Sequence, residues 1–349
     1  MKLATTIDYS GNFHADVART QDLERAGVDL VWVAEAYSFD SISLIGYLAA
    51  KTSTIQIGTG IINVYSRTAS AVAQTAAGCD FVTGGRFVLG LGASGPQVIE
   101  GFHGVPYDKP MARIIDYINV CRLALRREPV VYDGPTVHVP LPAGEGTGLG
   151  KALKIINHPV RSEVPIFWAS MKGNSVAATA RVADGWLPIF YFFDPTKFAD
   201  VWGDDLARGL AERDPALGPL QISAGGMLAI GDEYAGAGAD AVLDLARPSY
   251  ALYIGGMGAR GQNFYTELAA RYGYEREAKE IQDLYLDGNK NEAARLVPRE
   301  MLVNTNLVGS AGDVAERIAA HRQAGVTHLQ VMPATPDPVA AIDHLRGLL

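Results

Sequence analysis

Cysteine is scarce in this sequence: Cys79 and Cys121 are the only two among 349 residues. A disulfide framework or a cysteine-based metal site needs more thiols at characteristic spacings, so both are excluded as sources of stability. We therefore expect two buried, reduced thiols and no bound metal.

Long apolar runs and an excess of positive charge are also missing. No run approaches the roughly 20 apolar residues that span a bilayer, and the opening MKLATTIDYSGNF lacks the apolar core of a secretory signal. The formal net charge is −8, whereas proteins that bind the nucleic-acid backbone are generally basic. We expect a cytoplasmic protein that uses neither a membrane nor a nucleic acid as its partner.

The residues that are present, 48% hydrophobic and 19% charged, are typical of a globular protein with a large core. Short β-branched runs alternate with amphipathic stretches that predict helices near 13–26, 40–51, 68–83, 109–127 and 174–182. The predicted strands are KLATTID, DLVWVAE, TIQIGTG, RFVLGLG, VPIFWAS, GWLPIF, LQISAGGMLAI and THLQVMP. Most are continuous apolar runs, as expected of parallel strands covered on both faces. Eight such units predict an α/β fold, a (β/α)8 TIM barrel.

Two segments interrupt the alternation. Residues 128–163 contain a predicted hairpin in VVYDGPTVHV, followed by the glycine-rich loop PAGEGTGLG. Residues 232–309 are predicted to be entirely helical. We interpret both as insertions on one barrel domain that spans residues 1–349, because long insertions on a barrel often shape its pocket.

A G-x-G-x-x-G motif runs through Gly90, Gly92 and Gly95 after the fourth predicted strand. A dinucleotide-binding fold would place this motif in its first βαβ unit, with an acidic residue at a strand end about 20 positions later. Here three βα units precede the motif, and Asp116 lies inside a predicted helix. We therefore favour a glycine-rich loop at the end of a barrel where active sites lie.

Several segments together resemble one family. GTGIINVYSRTASAVAQTAA (58–77), FVLGLGASGPQVIEGFHGVPYDKP (87–110) and ADGWLPIF (183–190) are similar to the luciferase-like flavin and deazaflavin oxidoreductases. The second segment, and YIGGMGARGQNFYTELAARYGYEREA in the helical insertion, resemble members that use the deazaflavin coenzyme F420. The resemblance covers nearly the whole chain, and it implies a homodimer.

The resemblance implies where the cofactor binds. In this family the third strand ends in a non-proline cis peptide that backs the central ring, and the matching step is Gly60–Ile61, followed by Ile62 and Asn63. The cofactor's phosphate and ribityl chain lie near the loops after strands four and five, which correspond to these residues: Ala93, Ser94, Gly95, Ser170, Met171, Lys172, Gly173 and Asn174. Small residues there leave backbone N–H groups accessible, and a lysine adds positive charge. An ordinary solvated surface lysine is the alternative for Lys172.

Two carboxylates are candidate catalytic residues. Glu35 ends the second strand, where related enzymes place an acidic residue or a histidine pair near the reactive ring, so it is also a candidate cofactor contact. Asp8 lies at the end of the first strand. The carboxyl-terminal rim of a barrel is where chemistry occurs. For Glu35 an ion pair with a neighbouring cation is the structural alternative.

The sequence departs from the family at two positions. Sugar-6-phosphate and secondary-alcohol dehydrogenases of this family carry a histidine where this chain has Ala36, and a catalytic glutamate where it has Pro96. An enzyme with these two residues lacks the acid/base groups that assist the oxidation of an alcohol. Reduction of an activated C=C or C=N bond needs less help from acid/base groups. Separately, the loop residue His103 is a candidate for the lining of the pocket.

Other residues are open to two interpretations. In WLPIFYFF we expect Trp186 and Phe190 in the core, with Tyr191 and Phe192 as walls of an apolar pocket. The basic residues of and after the glycine-rich loop suit the acidic tail of F420, although a disordered loop is often charged. These residues are Lys151, Lys154 and Arg161.

Three functions remain compatible with the sequence. The leading one is an F420-dependent oxidoreductase that transfers a hydride between the deazaflavin and a small-molecule substrate. The first alternative is an FMN-dependent monooxygenase of the same fold. The second is a cofactor-binding protein without turnover, since fold alone does not determine function.

Overall fold

A computed structural model of the protein describes residues 1–8, 10–188 and 193–349. Its strands are β1 (Lys2–Ile7), β2 (Leu30–Val33), β3 (Gln56–Thr59), β4 (Ile62–Asn63), β5 (Phe87–Gly92), β6 (Tyr132–Asp133), β7 (His138–Val139), β8 (Ile166–Ala169), β9 (Gly185–Leu187), β10 (Gln221–Ile230), β11 (Leu307–Gly309) and β12 (His328–Pro333). Each run predicted as a barrel strand contains one of these strands.

The helices follow the strands. They are α1 (Phe13–Arg25), α2 (Ser41–Ala49), α3 (Ala69–Val82), α4 (Pro96–Gly101), α5 (Pro110–Leu125), α6 (Gly173–Val182), α7 (Phe198–Ala211), α8 (Ala237–Leu243), α9 (Arg247–Ala251), α10 (Phe264–Arg271), α11 (Glu275–Leu286), α12 (Lys290–Arg295), α13 (Arg299–Thr305), α14 (Ala311–Gln323) and α15 (Pro338–Arg346). Several start at a side-chain cap: Asp40 accepts a hydrogen bond from the Ser43 amide at α2, and Thr68 from Ala71 at α3.

Parallel strands close into an eight-stranded barrel in the order β1-β2-β3-β5-β8-β9-β10-β12, and β12 pairs with β1. The (β/α)8 prediction is therefore confirmed. The predicted hairpin is also present, since β6 and β7 pair antiparallel with Tyr132 opposite Val139.

One prediction about the second insertion is wrong in part. Residues 232–309 are not entirely helical, because Leu307, Val308 and Gly309 form β11 and pair in parallel with Leu228–Ile230 of β10. Three residues are too short a run for a period-2 pattern to be recognised. The rest of the insertion consists mainly of helices and helical turns, and it includes α8 to α13.

The barrel interior is filled by a small apolar cluster of inward-facing side chains. Its buried members are Ala4, Leu30, Trp32, Val88, Phe167 and Leu187. Side chains alternate between the two faces of each strand, so Val31 and Val33 point outward to the helices, where they join the larger core. Gly58 faces Trp32, and any side chain at that position would overlap the indole ring.

Candidate functional site

The carboxyl-terminal end of β3 forms a sharp bulge at the barrel mouth. The Gly60–Ile61 peptide bond is cis, as expected from the resemblance. The Gly60 amide donates a hydrogen bond to the Val33 carbonyl oxygen at 2.8 Å, and the chain then pairs with β5 through Ile62 and Asn63. The Ile61 side chain is half-buried against the interior cluster, beside Ala169. These two side chains form an apolar floor at the mouth.

Two of the three glycines of the G-x-G-x-x-G motif serve packing. Gly90 and Gly92 lie within β5, and Gly95 precedes α4. A side chain at Gly90 would overlap the Thr59 carbonyl oxygen, and the Gly90 amide already donates to Thr59 Oγ1 at 2.8 Å. At Gly92 a Cβ atom would lie 2.9 Å from Cγ1 and Cδ1 of Ile61. The motif lies on the fourth strand of a closed barrel and not in a first βαβ unit, so the dinucleotide-binding interpretation does not apply.

The loop after β5 opens onto the mouth. Ser94 adopts a left-handed conformation with φ of 57°, and its carbonyl oxygen accepts a hydrogen bond from the Tyr107 hydroxyl at 3.2 Å. Among the described residues, no heavy atom would lie within 4 Å of a Cβ atom on Gly95. Ala93 packs against the core. Of the three residues expected near the cofactor's phosphate chain, Ser94 thus has a strained backbone, and the neighbouring Gly95 has free space around its Cα atom.

Asn63 connects this loop to the bulge. Its Oδ1 accepts a hydrogen bond from the Tyr65 amide at 3.1 Å, and its Nδ2 lies 3.3 Å from Nε2 of His103. The Tyr65 ring stacks on Tyr107 with centroids 5.3 Å apart. Burial raises the pKa of the Tyr107 hydroxyl to about 12, so it remains protonated. His103 therefore lies at the site through its contact with Asn63.

The loop after β8 is organised by the amino terminus of α6. Ser170 is buried and its hydroxyl lies 2.8 Å from Thr179 Oγ1, and its carbonyl accepts a hydrogen bond from the Trp186 indole. Asn174 Oδ1 accepts a hydrogen bond from Arg208 at 3.1 Å. Gly173 faces the Asp205 carboxylate so closely that a side chain there would collide with it. Met171 is half-buried on the same loop.

Lys172 is exposed and has partners from the helical insertion. Its Nζ lies 3.3 Å from Glu267 Oε2 and 4.4 Å from the centroid of the Phe264 ring. Both partners belong to α10, so the insertion packs over the loop after β8. The surface-lysine alternative fits its exposure, although the ion pair keeps Lys172 next to the candidate site.

Glu35 is engaged in a buried network. Its side chain is 7% exposed, Oε1 lies 2.7 Å from Arg67 Nη1, and Oε2 accepts a hydrogen bond from Nη2 at 3.1 Å. Oε2 also accepts hydrogen bonds from the amide and hydroxyl of Ser41, both at 2.8 Å. The hydrogen bond to Glu35 raises the pKa of Arg67 further. Both carboxylate oxygens are thus occupied, as in the ion-pair alternative.

Asp8 has an open environment. It follows β1, in which Ala4 faces the interior, and the alternation of the strand directs Asp8 to the mouth. Its Oδ1 accepts hydrogen bonds from the amide and hydroxyl of Ser10, at 3.2 and 3.3 Å. A cleft of about 460 Å³ lies between Asp8 and the start of α2. Asp8 is therefore a more accessible carboxylate than Glu35.

Some sequence expectations concern residues away from the mouth. Arg161 Nε lies 3.1 Å from Oδ1 of the buried Asp80, and its guanidinium also contacts the Phe87 carbonyl at the amino-terminal end of β5. This end is opposite the site, so Arg161 does not reach an anion bound at the mouth. Lys151 and Lys154 are exposed residues of the preceding loop. Trp186 is buried as predicted, whereas Phe190, Tyr191 and Phe192 lie outside the described residues.

The sequence interpretation missed two contributors to the site. Arg67 comes four residues after Asn63 in the segment that carried the resemblance, but its pairing with Glu35 bridges 32 positions. The Thr6 hydroxyl donates to Gln330 Oε1 at 3.1 Å, which joins β1 to β12 inside the barrel. The inward side of each strand could have indicated Thr6, since it alternates with Ala4.

Solved structures share the complete fold. A coenzyme F420-dependent tetrahydromethanopterin reductase from Methanopyrus kandleri superposes with a TM-score of 0.79 at 20% identity, covering 99% of this chain and 96% of the other. An F420-dependent secondary alcohol dehydrogenase superposes with a TM-score of 0.68 at 17% identity, covering 100% and 98%. At these identities the likeness establishes the fold alone.

Sequence relatives extend over the same length. A Mycobacterium tuberculosis protein named "Putative coenzyme F420-dependent oxidoreductase" is 38% identical over 97% of each chain. A 5,10-methylenetetrahydromethanopterin reductase from Archaeoglobus fulgidus is 25% identical and covers 90% of this chain and 87% of its own. Within the described residues no helix is long and apolar enough to cross a membrane. The family model described as luciferase-like monooxygenase matches residues 1–328, and the chain belongs to this family.

Proposed function

We propose that this protein is a coenzyme F420-dependent oxidoreductase that transfers a hydride between the deazaflavin and a small organic substrate. The observation that carries this proposal is the 38% identity, over 97% of both chains, to a relative whose name specifies F420. The Archaeoglobus fulgidus relative is named as a reductase, which supports the same class of reaction. When bound, the deazaflavin would supply the hydride chemistry, and the protein would supply binding and orientation.

The residues at the barrel mouth fit a flat ring with an anionic chain. The floor of Ile61 and Ala169 is apolar, and Gly92 contributes no side chain to it. Asn63 and Ser94 border this floor with polar atoms. We infer that Gly60, Ile61 and Asn63 hold the ring, and that the two loops after β5 and β8 hold the phosphate chain.

Glu35 and Asp8 have different proposed roles. Glu35 ties β2 to Ser41 of α2 and to Arg67 after β4, so we assign it to positioning these loops. Asp8 is exposed at the end of β1, and we assign it to contact with the substrate. Within the part of the chain that the structure describes, no cation pairs with Asp8, so its carboxylate can accept a hydrogen bond from a bound molecule, whereas the oxygens of Glu35 are already occupied.

The proposed direction of the reaction follows from the missing acid/base groups. Ala36 and Pro96 stand where alcohol-oxidising members of the family carry a histidine and a glutamate. To oxidise an alcohol, the enzyme would need a base that removes the hydroxyl proton as the hydride leaves, and these two positions supply none. We therefore propose reduction of an activated C=C or C=N bond.

A turnover assay tests this function. Purified protein and reduced F420 are mixed without oxygen with enones, imines and secondary alcohols, and the deazaflavin absorbance is followed. We expect oxidation of reduced F420 with an enone or imine, and slower turnover in Asp8→Asn than in the matched surface control Asp22→Asn. Turnover only in the alcohol-oxidising direction contradicts the proposed direction. Turnover with reduced FMN and oxygen but not with F420 identifies the monooxygenase alternative.

We also propose that the chain forms a homodimer, as the resemblance implies. An open apolar groove of about 290 Å³ lies between α2 and α3, and its lining includes Ile42, Gly46, Thr75, Gly78 and Val82. Glycines on adjacent helices allow a second chain to approach closely. Light scattering should give a molar mass of twice the chain mass, and the Gly78→Arg variant should have the mass of a single chain. A monomer at micromolar concentration contradicts this proposal.

A further inference from the structure

We propose that His103 is a catalytic residue, and that the substrate is an enone whose carbonyl oxygen accepts a hydrogen bond from Nδ1–H of this histidine. This inference rests on the proposed function, because it specifies which activated double bond the enzyme reduces. It is based on the contact of His103 with the bulge at the barrel mouth, on the tautomer that this contact requires, and on the exposed aromatic side chains beside the ring.

Asn63 brings His103 to the floor of the barrel mouth. Asn63 lies opposite Gly92 in the pairing of β4 with β5, and Gly92 lies beside the Ile61 side chain of the floor. Ile62 faces the larger core, so strand alternation turns Asn63 to the same side as Ile61. His103 Nε2 lies 3.3 Å from Asn63 Nδ2. The imidazole is therefore one side chain away from the surface on which we place the deazaflavin ring.

The hydrogen bonds of Asn63 determine which ring nitrogen of His103 carries the proton. The Tyr65 amide can only donate, so the Asn63 atom that lies 3.1 Å from it is the oxygen Oδ1. The Nδ2 group, which faces His103, is therefore a donor, and Nε2 of the neutral ring has to accept. The proton of the neutral imidazole then lies on Nδ1. Among the described residues Nδ1 has no hydrogen-bond partner, so this N–H is available to a ligand.

Aromatic side chains hold the imidazole ring and extend beside it. Phe102 packs edge-on against the His103 ring, with centroids 5.2 Å apart. Tyr37, in the loop after β2, contacts Phe102 with centroids 6.2 Å apart. Strand β3 lies between β2 and β5 in the barrel, so this contact joins the loops on either side of the bulge. Phe102 and Tyr37 are 64% and 63% exposed, which suits contact with an apolar or aromatic group of the substrate.

The N–H of His103 would stabilise the charge that develops during reduction of an enone. When a hydride adds to the β-carbon, a C–H bond forms there and the C=C π bond breaks. Its electron pair forms a new π bond between the α-carbon and the carbonyl carbon, the carbonyl π pair moves to oxygen, and the reduced deazaflavin is oxidised. Nδ1–H donates a hydrogen bond to this oxygen. Water then supplies a proton to the α-carbon and the C=O bond re-forms, so no side chain has to give up a proton.

Nitrogen NMR of the full-length protein tests the tautomer. The protein is labelled with nitrogen-15 in its histidines, and the signals of His103 are assigned from the spectrum of His103→Phe. At mildly alkaline pH we expect Nδ1 to resonate as a protonated nitrogen and Nε2 as an unprotonated one. A proton on Nε2, or rapid exchange between the two tautomers, overturns the inference.

A chromophoric enone tests the hydrogen bond without cofactor. The probe is 4-(dimethylamino)benzylideneacetone, whose absorption band moves to longer wavelength when its carbonyl oxygen accepts a hydrogen bond. We expect the band of the bound probe at longer wavelength with the unmodified protein than with His103→Phe, which keeps an aromatic ring against Phe102. His103→Asn carries an amide at the position of Nδ1 and should restore part of the shift, and the exposed control His344→Phe should not change it. No binding, or the same band position in His103→Phe, overturns the inference.

Turnover and cofactor titration separate this inference from the proposed function. With reduced F420 and an enone, kcat should fall at least about 10-fold in His103→Phe while KM changes little, because an enclosed donor to an oxyanion contributes about 10²–10³-fold to kcat. F420 is also titrated into each variant. F420 binding with equal turnover in His103→Phe leaves the proposed function intact and overturns only the inference. The Nδ1–H tautomer and the band shift without F420 binding support the carbonyl site and contradict the proposed cofactor.

Discussion

Replacing Gly92 with alanine adds one methyl group to the floor of the barrel mouth. The new Cβ atom would lie 2.9 Å from both Cγ1 and Cδ1 of Ile61, and 3.6 Å from the Cβ atom of Ala169. A contact of 2.9 Å between carbon atoms is well inside the optimal separation of about 3.5–4.0 Å, so Ile61 has to move. Overpacking of this kind costs about 1–3 kcal/mol.

Two neighbouring glycines calibrate this expectation. At Gly95 no heavy atom of residues 1–8, 10–188 or 193–349 would lie within 4 Å of a Cβ atom, and φ is −115°, so alanine should change the free energy of unfolding by less than about 0.5 kcal/mol. At Gly90 the methyl group would overlap the backbone carbonyl oxygen of Thr59, which cannot rotate away. Gly90→Ala should therefore cost more than about 3 kcal/mol, or prevent folding.

Urea unfolding of the three variants measures these free energies, and titration with F420 measures binding in the folded ones. We expect the order Gly95→Ala, Gly92→Ala, Gly90→Ala from most to least stable. F420 affinity should fall in Gly92→Ala, because Ile61 no longer presents the same surface. If Gly92→Ala is as stable as Gly95→Ala and binds F420 equally well, the packing of Ile61 on Gly92 does not shape the site.

Three further predictions concern buried groups. Glu35→Gln should lower the free energy of unfolding by about 2 kcal/mol in urea titrations, because the partly buried Arg67 loses its charged partner; no change would exclude the positioning role. Burial lowers the pKa of His321 and His328 to about 4, so the folded state binds fewer protons than the unfolded state between pH 4 and about 6.5. Stability should be complete above this range and fall as the pH drops through it, with a shallower fall in His321→Leu. Burial raises the pKa of the Cys121 thiol to about 12, so a thiol reagent should label it only after denaturation.

The barrel could be predicted because its strands are continuous apolar runs separated by helices. The strand β11 escaped prediction because it has three residues and depends on pairing with β10, about 80 positions away. Local patterns contain no information about such a distant partner. The cis bond at Gly60–Ile61 was expected only from the family resemblance, since an ordinary strand end followed by a turn fits the local sequence equally well.

In the candidate site, too, local sequence patterns predict some features, and other features depend on residues that are distant in the sequence. Glu35 lies three positions after the inward-facing Trp32, and strand alternation alone directs it away from the barrel axis. That rule could have indicated its structural pairing, but the identity of Arg67 as its partner depends on how the loop after β4 folds. Asp8 follows the inward-facing Ala4 by an even number of residues, so its position at the mouth could be read from the strand.

The choice of cofactor is tested most directly by equilibrium titration. Purified apo-protein is titrated with F420 and, separately, with FMN, and tryptophan fluorescence quenching is followed. We predict tight binding of F420 and weak binding of FMN. Tight binding of FMN with weak binding of F420 would contradict the proposed function and favour oxygen chemistry on the same barrel.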